Sequence, residues 1–215
     1  MAMHIEFLIE DSSGAKLLET LVPKIIGDIG SPHTWRFHSY KGIGRIPRKL
    51  TKADNAAKRQ LLTQLPKLLR GYAKTPGIDL IVVLVDSDTE PCSDLLADLK
   101  RVATDSGIQH VLFRIAIEEV EAWYLGDRPA LTHAYPRAKP AILNTYVQDS
   151  ICGTWELLAD AVEAGGSARI KSKGWPRPGE VKHQWAEAIA PHLNIDANAS
   201  PSFRKFVEGI RRFTS

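Results

Sequence analysis

Acidic side chains follow three apolar segments of the sequence, at the point where each segment ends. Asp86 and Asp88 come directly after LIVVLV, Glu10 follows HIEFLI, and Glu121 lies in EEVEAW, shortly after HVLFRIAI. Carboxylates gathered in one place repel each other unless a positive group lies among them. Mg²⁺ and Mn²⁺ prefer oxygen ligands, and Mg²⁺ accepts phosphate oxygens in its remaining positions. The three segments therefore predict a Mg²⁺ (or Mn²⁺) site held by Glu10, Asp86 and Asp88, with Glu121 beside it.

Each acid also has a simpler interpretation. Asp88 or Asp94 could cap the helix that follows Pro91, because a carboxylate at a strand end often accepts hydrogen bonds from the next helix. Glu10 and Glu121 could lie on solvated surfaces. The metal hypothesis depends on all of these acids falling at the same edge of one sheet, where α/β proteins bind ligands.

Strands and helices alternate through the first 125 residues or so. Apolar stripes at helical spacing separate the strand-like segments, which is typical of a parallel sheet covered on both faces. The first helix has Ser12 or Ser13 as its predicted N-cap. The predicted strands are His4–Ile9, Thr34–Tyr40, Leu80–Val85 and His110–Ile117.

The strand pattern ends near Asp127, and short amphipathic stretches replace it. We therefore predict a core over residues 1–127 and a helical extension over residues 128–215 that packs on it. The segment KSKGWPRPG is predicted to be an exposed, mobile loop. The predicted late helices lie around Trp155–Val162, Val181–Ile189 and Phe203–Phe213.

Charge is distributed unevenly along the chain, although the net charge is only +3. Eleven Lys or Arg and one acid lie between Pro32 and Lys74, and eleven acids with three basic residues lie between Ile78 and Asp127. Two solvated helix faces would explain this pattern, and so would a phosphate-binding surface beside a cation site. In the second interpretation, the residues that contact nucleic acid are Lys41, Arg45, Arg48, Lys49, Lys171 and Lys173.

Other features bound the class of protein. No apolar run approaches the ~18 residues of a membrane helix, and the first residues lack the pattern of a secretory signal. Cys92 and Cys152 form neither a CxxC pair nor a disulfide framework. These features predict a cytoplasmic protein that does not enter a membrane.

The sequence resembles the Toprim domain of topoisomerases, primases and nucleases of the overcoming-lysogenization-defect type. It is more closely similar to a Toprim-like bacterial family catalogued as domain-of-unknown-function family 4276. The resemblance implies an α/β fold with a mostly parallel central sheet flanked by helices. The similarity to the closer family is carried by four segments spread over nearly the whole chain: FLIEDSSGAKLLETLVPKI, VVLVDSDTEPC, RIAIEEVEAWYLGD and SPSFRKFVEGI.

The resemblance also implies roles for single residues. Glu10 matches the Toprim glutamate that acts as acid or base or helps to hold metal, and Asp86 and Asp88 match the metal-holding aspartates. Glu121 and Lys41 match further positions of the closer family. Many Toprim domains have Gly directly after the first glutamate, where this sequence has Asp11.

These observations predict a Mg²⁺-dependent nuclease or related phosphotransfer enzyme acting on nucleic acid. Glu10, Asp86, Asp88 and Glu121 would be its catalytic residues, and Glu10 or Glu121 would take a proton from the attacking water. Families of this kind are associated with ATPase partners in defence against foreign DNA, so the resemblance implies such a partner here. The alternative is a non-catalytic regulatory module that binds a metal or a protein partner through its acidic edge.

Overall fold

Four parallel strands form the centre of the molecule. The computed structural model describes residues 1–47 and 60–214 of the chain. Its strands pair in the order β2-β1-β3-β4, so β1 and β3 occupy the middle of the sheet. The predicted α/β class and the parallel sheet are thus confirmed. The strand bounds are β1 His4–Ile9, β2 Thr34–Ser39, β3 Leu80–Asp86 and β4 Val111–Ala116.

Helices cover both faces of this sheet. None of those within the two described ranges is long and apolar enough to cross a membrane. Their bounds are α1 Ser12–Ile26, α2 Leu61–Tyr72, α3 Cys92–Ser106, α4 Glu121–Leu125, α5 Arg128–Ala134, α6 Pro140–Leu143, α7 Thr154–Val162, α8 Gly166–Ser172, α9 Arg177–Ile189 and α10 Pro201–Thr214, with a short 3₁₀ turn at Ala190–His192.

The central strands divide their side chains between two cores. Phe7 and Leu84 pack with α1 and the helices after residue 120, whereas Leu8 and Val83 pack with α2 and α3. Successive side chains of a strand point to opposite faces, so a strand covered on both sides must be apolar throughout. This requirement explains why all residues of β3 before Asp86 are buried.

The late helices share the first of these cores. Trp123 is fully buried and contacts the rings of Phe203 and Phe206 on α10, with ring centroids 5.4 and 5.0 Å away. Its indole nitrogen donates a hydrogen bond of 3.0 Å to the hydroxyl of Ser202. These contacts fix α4, and with it Glu121, against the end of the chain.

The predicted N-cap of α1 is wrong. Asp11, rather than Ser12 or Ser13, caps the helix, because its carboxylate accepts a 2.7 Å hydrogen bond from the amide of Gly14. Ser13 instead donates its hydroxyl proton to the same carboxylate, at 2.9 and 3.0 Å. A carboxylate is as good a cap as a hydroxyl and is also stabilised by the positive end of the helix dipole.

The predicted loop over KSKGWPRPG is also different in the structure. Its first residues complete α8 and its last residues begin α9, so only residues 173–176 connect two helices. Pro178 lies in the first turn of α9, where a missing amide proton costs no hydrogen bond. The segment is exposed as predicted, and Trp175 at its centre is 83% exposed.

Candidate functional site

Glu10 and Asp86 meet at the carboxyl edge of the sheet. The amide of Asp86 donates a hydrogen bond of 3.0 Å to a carboxylate oxygen of Glu10, and the amide of Glu10 donates to the carbonyl of Leu84 at 3.2 Å. The two acids belong to the ends of β1 and β3, which are neighbours in the sheet. The parallel pairing thus brings together two residues that are distant in sequence.

Asp88 lies in a turn that the ends of β3 and β4 hold together. Its amide donates to the carbonyl of Glu118 at 3.0 Å, and the hydroxyl of the buried Ser87 accepts from the amide of Glu118 at 2.8 Å. Asp88 has a φ of 46° and an exposed side chain. Within the described ranges no side chain caps α3, whose N-cap is Pro91. Asp88 and Asp94 therefore do not serve as the helix caps that were the simpler interpretation.

Glu121 is the most deeply buried of the predicted site residues. It begins α4 and is only 1% exposed, which excludes the solvated helix face as its environment. Its carboxylate lies 3.3 Å from the ammonium nitrogen of Lys182 on α9, and Glu119 lies 2.9 Å from the same nitrogen. Lys182 was not predicted from the sequence, because nothing in KHQW distinguishes it from a surface lysine.

Burial raises the pKa of Glu10 to about 7, although the hydrogen bond from Asp86 opposes this shift. Nearby Asp11 and Asp88 add negative charge and raise the pKa further. The pKa of Asp86 is raised well above its ordinary value, first by burial and then by the charges of Glu10 and Glu121. The edge therefore carries more carboxylates than it can ionise easily without an added cation.

Lys182 supplies one positive charge to this cluster. Burial by itself would lower the pKa of Lys182, but the charges of Glu121, Glu119 and Asp86 raise it above the ordinary lysine value. The pKa of Glu119 is raised to about 7 by burial and by Glu121, even though Lys182 lies within salt-bridge distance. The pKa of Lys182 and the pKa of Glu119 are both raised because one ammonium group cannot neutralise all of the neighbouring carboxylates.

Glu118 binds backbone amides next to the site. Its carboxylate accepts hydrogen bonds from the amides of Cys152, Gly153 and Thr154, at 3.0, 2.8 and 3.0 Å, at the start of α7. Burial by itself would raise the pKa of Glu118, but hydrogen bonds from the Thr154 hydroxyl and from these amides lower it below the ordinary value. Glu118 thus stays ionised and ties β4 to α7.

Two of the predicted phosphate-contacting residues, Lys41 and Arg45, lie near the carboxyl edge of the sheet beside β2. Lys41 is exposed, and the amide of the following Gly42 donates to the carbonyl of Glu10 at 3.1 Å. Arg45 and Asp88 line one open cleft of ≈ 440 Å³. Arg48 and Lys49 lie outside the described residues.

The other two predicted contacts lie at the end of α8. Lys171 is 2.9 Å from Glu156 and places its ammonium 5.3 Å from the ring centre of Trp155. The amide of Trp155 donates to Glu119, so this surface adjoins the acidic edge through α7. Lys173 is exposed and lines a smaller cleft of ≈ 170 Å³.

The acids fit a hard cation in chemistry but are not preorganised around one. Within the described ranges, no three His, Cys, Asp or Glu side chains are placed so that they could hold a metal ion. The donors at the edge are carboxylate oxygens, and their raised pKa values show that added positive charge would be favourable. A bound Mg²⁺ would therefore require side-chain movements of Glu10, Asp86 and Asp88.

Comparison with known proteins confirms the resemblance to the family of unknown function. The family described as "Domain of unknown function (DUF4276)" matches residues 9–211 of the chain. No curated protein and no solved structure matches. The matched range contains Glu10, Asp86, Asp88 and Glu121, as well as Lys182. Since it spans nearly the whole chain, this protein belongs to the DUF4276 family.

Proposed function

We propose that this protein is a Mg²⁺-dependent phosphodiester hydrolase of the Toprim type that acts on nucleic acid. The observation that carries the proposal is the contact between Glu10 and the amide of Asp86, which joins acids of two central strands at the sheet edge. Ligands of open α/β sheets bind at this edge. The likeness to Toprim domains rests on the same residues and on the parallel sheet.

Glu10, Asp86 and Asp88 would hold the metal. A bound Mg²⁺ would supply positive charge that polarises a phosphodiester and lowers the pKa of water. Asp86 is fixed by the end of β3, whereas Asp88 projects into solvent from its turn. Asp88 is therefore the residue that first meets an incoming cation or substrate in this proposal.

Glu10 is the better candidate for the proton acceptor, and Glu121 acts through another residue. Glu10 is half-buried at the edge, so that water can reach it. Glu121 is almost completely buried, and its carboxylate is engaged by Lys182. We therefore assign Glu121 and Lys182 to positioning, and Glu10 to proton transfer.

The substrate class follows from the basic surfaces on either side of the acidic edge. Lys41 and Arg45 border it beside β2, and Lys171 contacts α7, which adjoins it. Phosphate contacts of this kind provide affinity without reading sequence. An ATPase partner and a role in defence against foreign DNA are further parts of the proposal, and these two rest on the family resemblance.

A second candidate function is a non-catalytic module that grips a metal or a basic partner. The observation that favours it is the ion pairing of Lys182 with Glu119 and Glu121, because this ammonium already supplies one of the positive charges that the acids require. In that case, the acidic edge would bind a partner and would not hydrolyse a phosphodiester.

Metal titration followed by a cleavage assay tests the proposal. Mg²⁺ or Mn²⁺ should raise the melting temperature of the wild type and of the control Asp105→Asn, an exposed acid on α3, but not that of Asp86→Asn. The same two proteins should cleave plasmid or single-stranded DNA or RNA, and Asp86→Asn should not. Equal metal stabilisation of all three proteins would defeat the metal site. Metal stabilisation without cleavage by the wild type would favour the non-catalytic module.

A further inference from the structure

The turn between α8 and α9 presents an aromatic ring among cations. Trp175 is 83% exposed, far more than the other four tryptophans of the chain. Lys173 precedes it and Arg177 follows it, and both line the cleft of ≈ 170 Å³ together with Arg169. A single exposed tryptophan needs no explanation by itself. An exposed indole among three cations, however, combines a face for stacking with positive charge.

The ring is held in place on one side. A Cβ atom at Gly179, in the first turn of α9, would lie only 3.2 Å from Cη2 of Trp175. The indole therefore rests against the helix at a position where the residue has no side chain. Its remaining surface faces solvent, which is the arrangement required for stacking by a flat group.

The cleft lined by Lys173 and Arg177, two residues before and two after Trp175, is suited to an anion. Three cationic side chains and one acid, Glu163, line it. The Glu163 carboxylate accepts a hydrogen bond of 2.9 Å from the indole nitrogen of Trp185, so it is held at the inner side of the cleft. Lys173 has no ion-pair partner among the described residues. A volume of ≈ 170 Å³ is below the range of about 300–1,000 Å³ of pockets for whole small molecules and suits a phosphate group.

We propose that Trp175 and the cations Arg169, Lys173 and Arg177 form a binding site for single-stranded nucleic acid, with a base stacked on the indole and a phosphate in the cleft. Aromatic rings beside a basic groove bind single strands in this way, and each stacked base contributes substantially. A duplex keeps its bases stacked on one another, so its base faces are not free for the indole. The inference extends the proposed function by naming a strand preference and rests on nucleic acid as the ligand class.

Helix α9 connects this cleft with the acidic edge. α9 carries Arg177 at the cleft and Lys182 at the edge, and five residues of helix rise about 7.5 Å. One helix thus carries a residue of the cleft and a residue of the acidic edge.

The test measures binding of a labelled single-stranded oligonucleotide in the absence of divalent metal. Fluorescence anisotropy at several salt concentrations gives the affinity of each protein. Trp175→Ala should weaken binding by roughly 5- to 150-fold, and Trp175→Phe should retain most of the affinity. Lys173→Ala should lower the salt slope by about 0.7, whereas Trp175→Ala should leave that slope unchanged. Lys205→Ala, an exposed lysine on α10, should bind as the wild type does.

Three outcomes would overturn the inference. These are no binding of single strands by the wild type, unchanged affinity of Trp175→Ala, and an equal loss of affinity for duplex and single strand in that variant. The assay contains no metal, so a failed cleavage reaction does not affect it. Conversely, a chain that cleaves DNA but binds equally well without Trp175 would retain the proposed function and lose this site.

Discussion

The ammonium nitrogen of Lys182 lies 2.9 Å from a carboxylate oxygen of Glu119, and both side chains are only 16% exposed. The same nitrogen reaches the nearly inaccessible Glu121. This lysine is therefore the internal counter-ion of the acidic edge, and α9 is the element that delivers it.

Replacing Lys182 by Met should destabilise the fold strongly. The change leaves Glu119 and Glu121 buried without a positive partner, and breaking a buried ion pair from one side costs about 3–5 kcal/mol. Urea unfolding near neutral pH measures the loss. Lys205→Met, at an exposed position of α10, is the matched control and should change the free energy of unfolding by less than about 0.5 kcal/mol.

The loss in Lys182→Met should be partly reversed when Glu119→Gln is added, since one uncompensated charge is then removed. Lys182→Arg should keep most of the stability, because a guanidinium group retains the positive charge. If Lys182→Met and Lys205→Met unfold at the same urea concentration, the counter-ion assignment is wrong.

Glu119 should make stability depend on pH in a predictable direction. Burial and the charge of Glu121 raise its pKa to about 7 in the folded protein, against an ordinary value of 4.5. Between these values the folded state binds a proton that the unfolded state releases. The stabilisation that this bound proton gives the folded state is therefore complete below about pH 4.5. It is lost as the pH rises through about 7.

Glu119→Gln removes this titration. Relative to the wild type, the variant should gain stability as the pH increases from about 5 to about 8. Urea unfolding of both proteins at several pH values measures the difference. Parallel stability curves for the two proteins would show that Glu119 does not titrate in this range.

Asp11 should behave as a helix cap. Asp11→Ala should cost about 0.5–2 kcal/mol of unfolding free energy, whereas Asp11→Asn should retain most of the stability. Ser12→Ala, at an exposed neighbouring position, is the control and should have little effect. Stabilisation by Mg²⁺ should persist in Asp11→Asn. Loss of that stabilisation would instead make Asp11 a metal ligand.

Gly126 should be intolerant of a side chain. A Cβ atom there would lie 2.9 Å from the amide nitrogen of Ser200, a backbone atom that cannot rotate away. Gly126→Ala should therefore cost about 1–3 kcal/mol in thermal or urea unfolding and should displace α4. Gly71→Ala in α2 is the control, because a methyl group there meets no described atom within 4 Å. This control should be stabilising by about 0.4–1 kcal/mol.

The sheet and the acids at its edge could be predicted from the sequence because both depend on local patterns. An apolar run such as Leu80–Val85 must be buried on both faces, and parallel strands end at the same edge. Glu10 and Asp86 were accordingly predicted to lie together. Their chemistry, a metal site and phosphodiester hydrolysis, stays a prediction.

Features that depend on tertiary contacts could not be predicted in the same way. Lys182 lies on a helix with an ordinary polar pattern, and packing of α9 against α1 and other helices brings it to the acids. The N-cap was misassigned because three consecutive residues, Asp11, Ser12 and Ser13, all have side chains that can cap a helix. The prolines and glycines of KSKGWPRPG indicated a loop, yet Pro178 is compatible with a first helical turn.

The position of Lys182 along the chain has a consequence for synthesis. Glu119 and Glu121 leave the ribosome well before α9, so the sheet and α4 are complete while these carboxylates still lack their lysine partner. A nascent chain that ends before α9 would have to keep those acids protonated, or leave the edge unfolded. Final closure of the acidic edge is thus coupled to translation of the last helices.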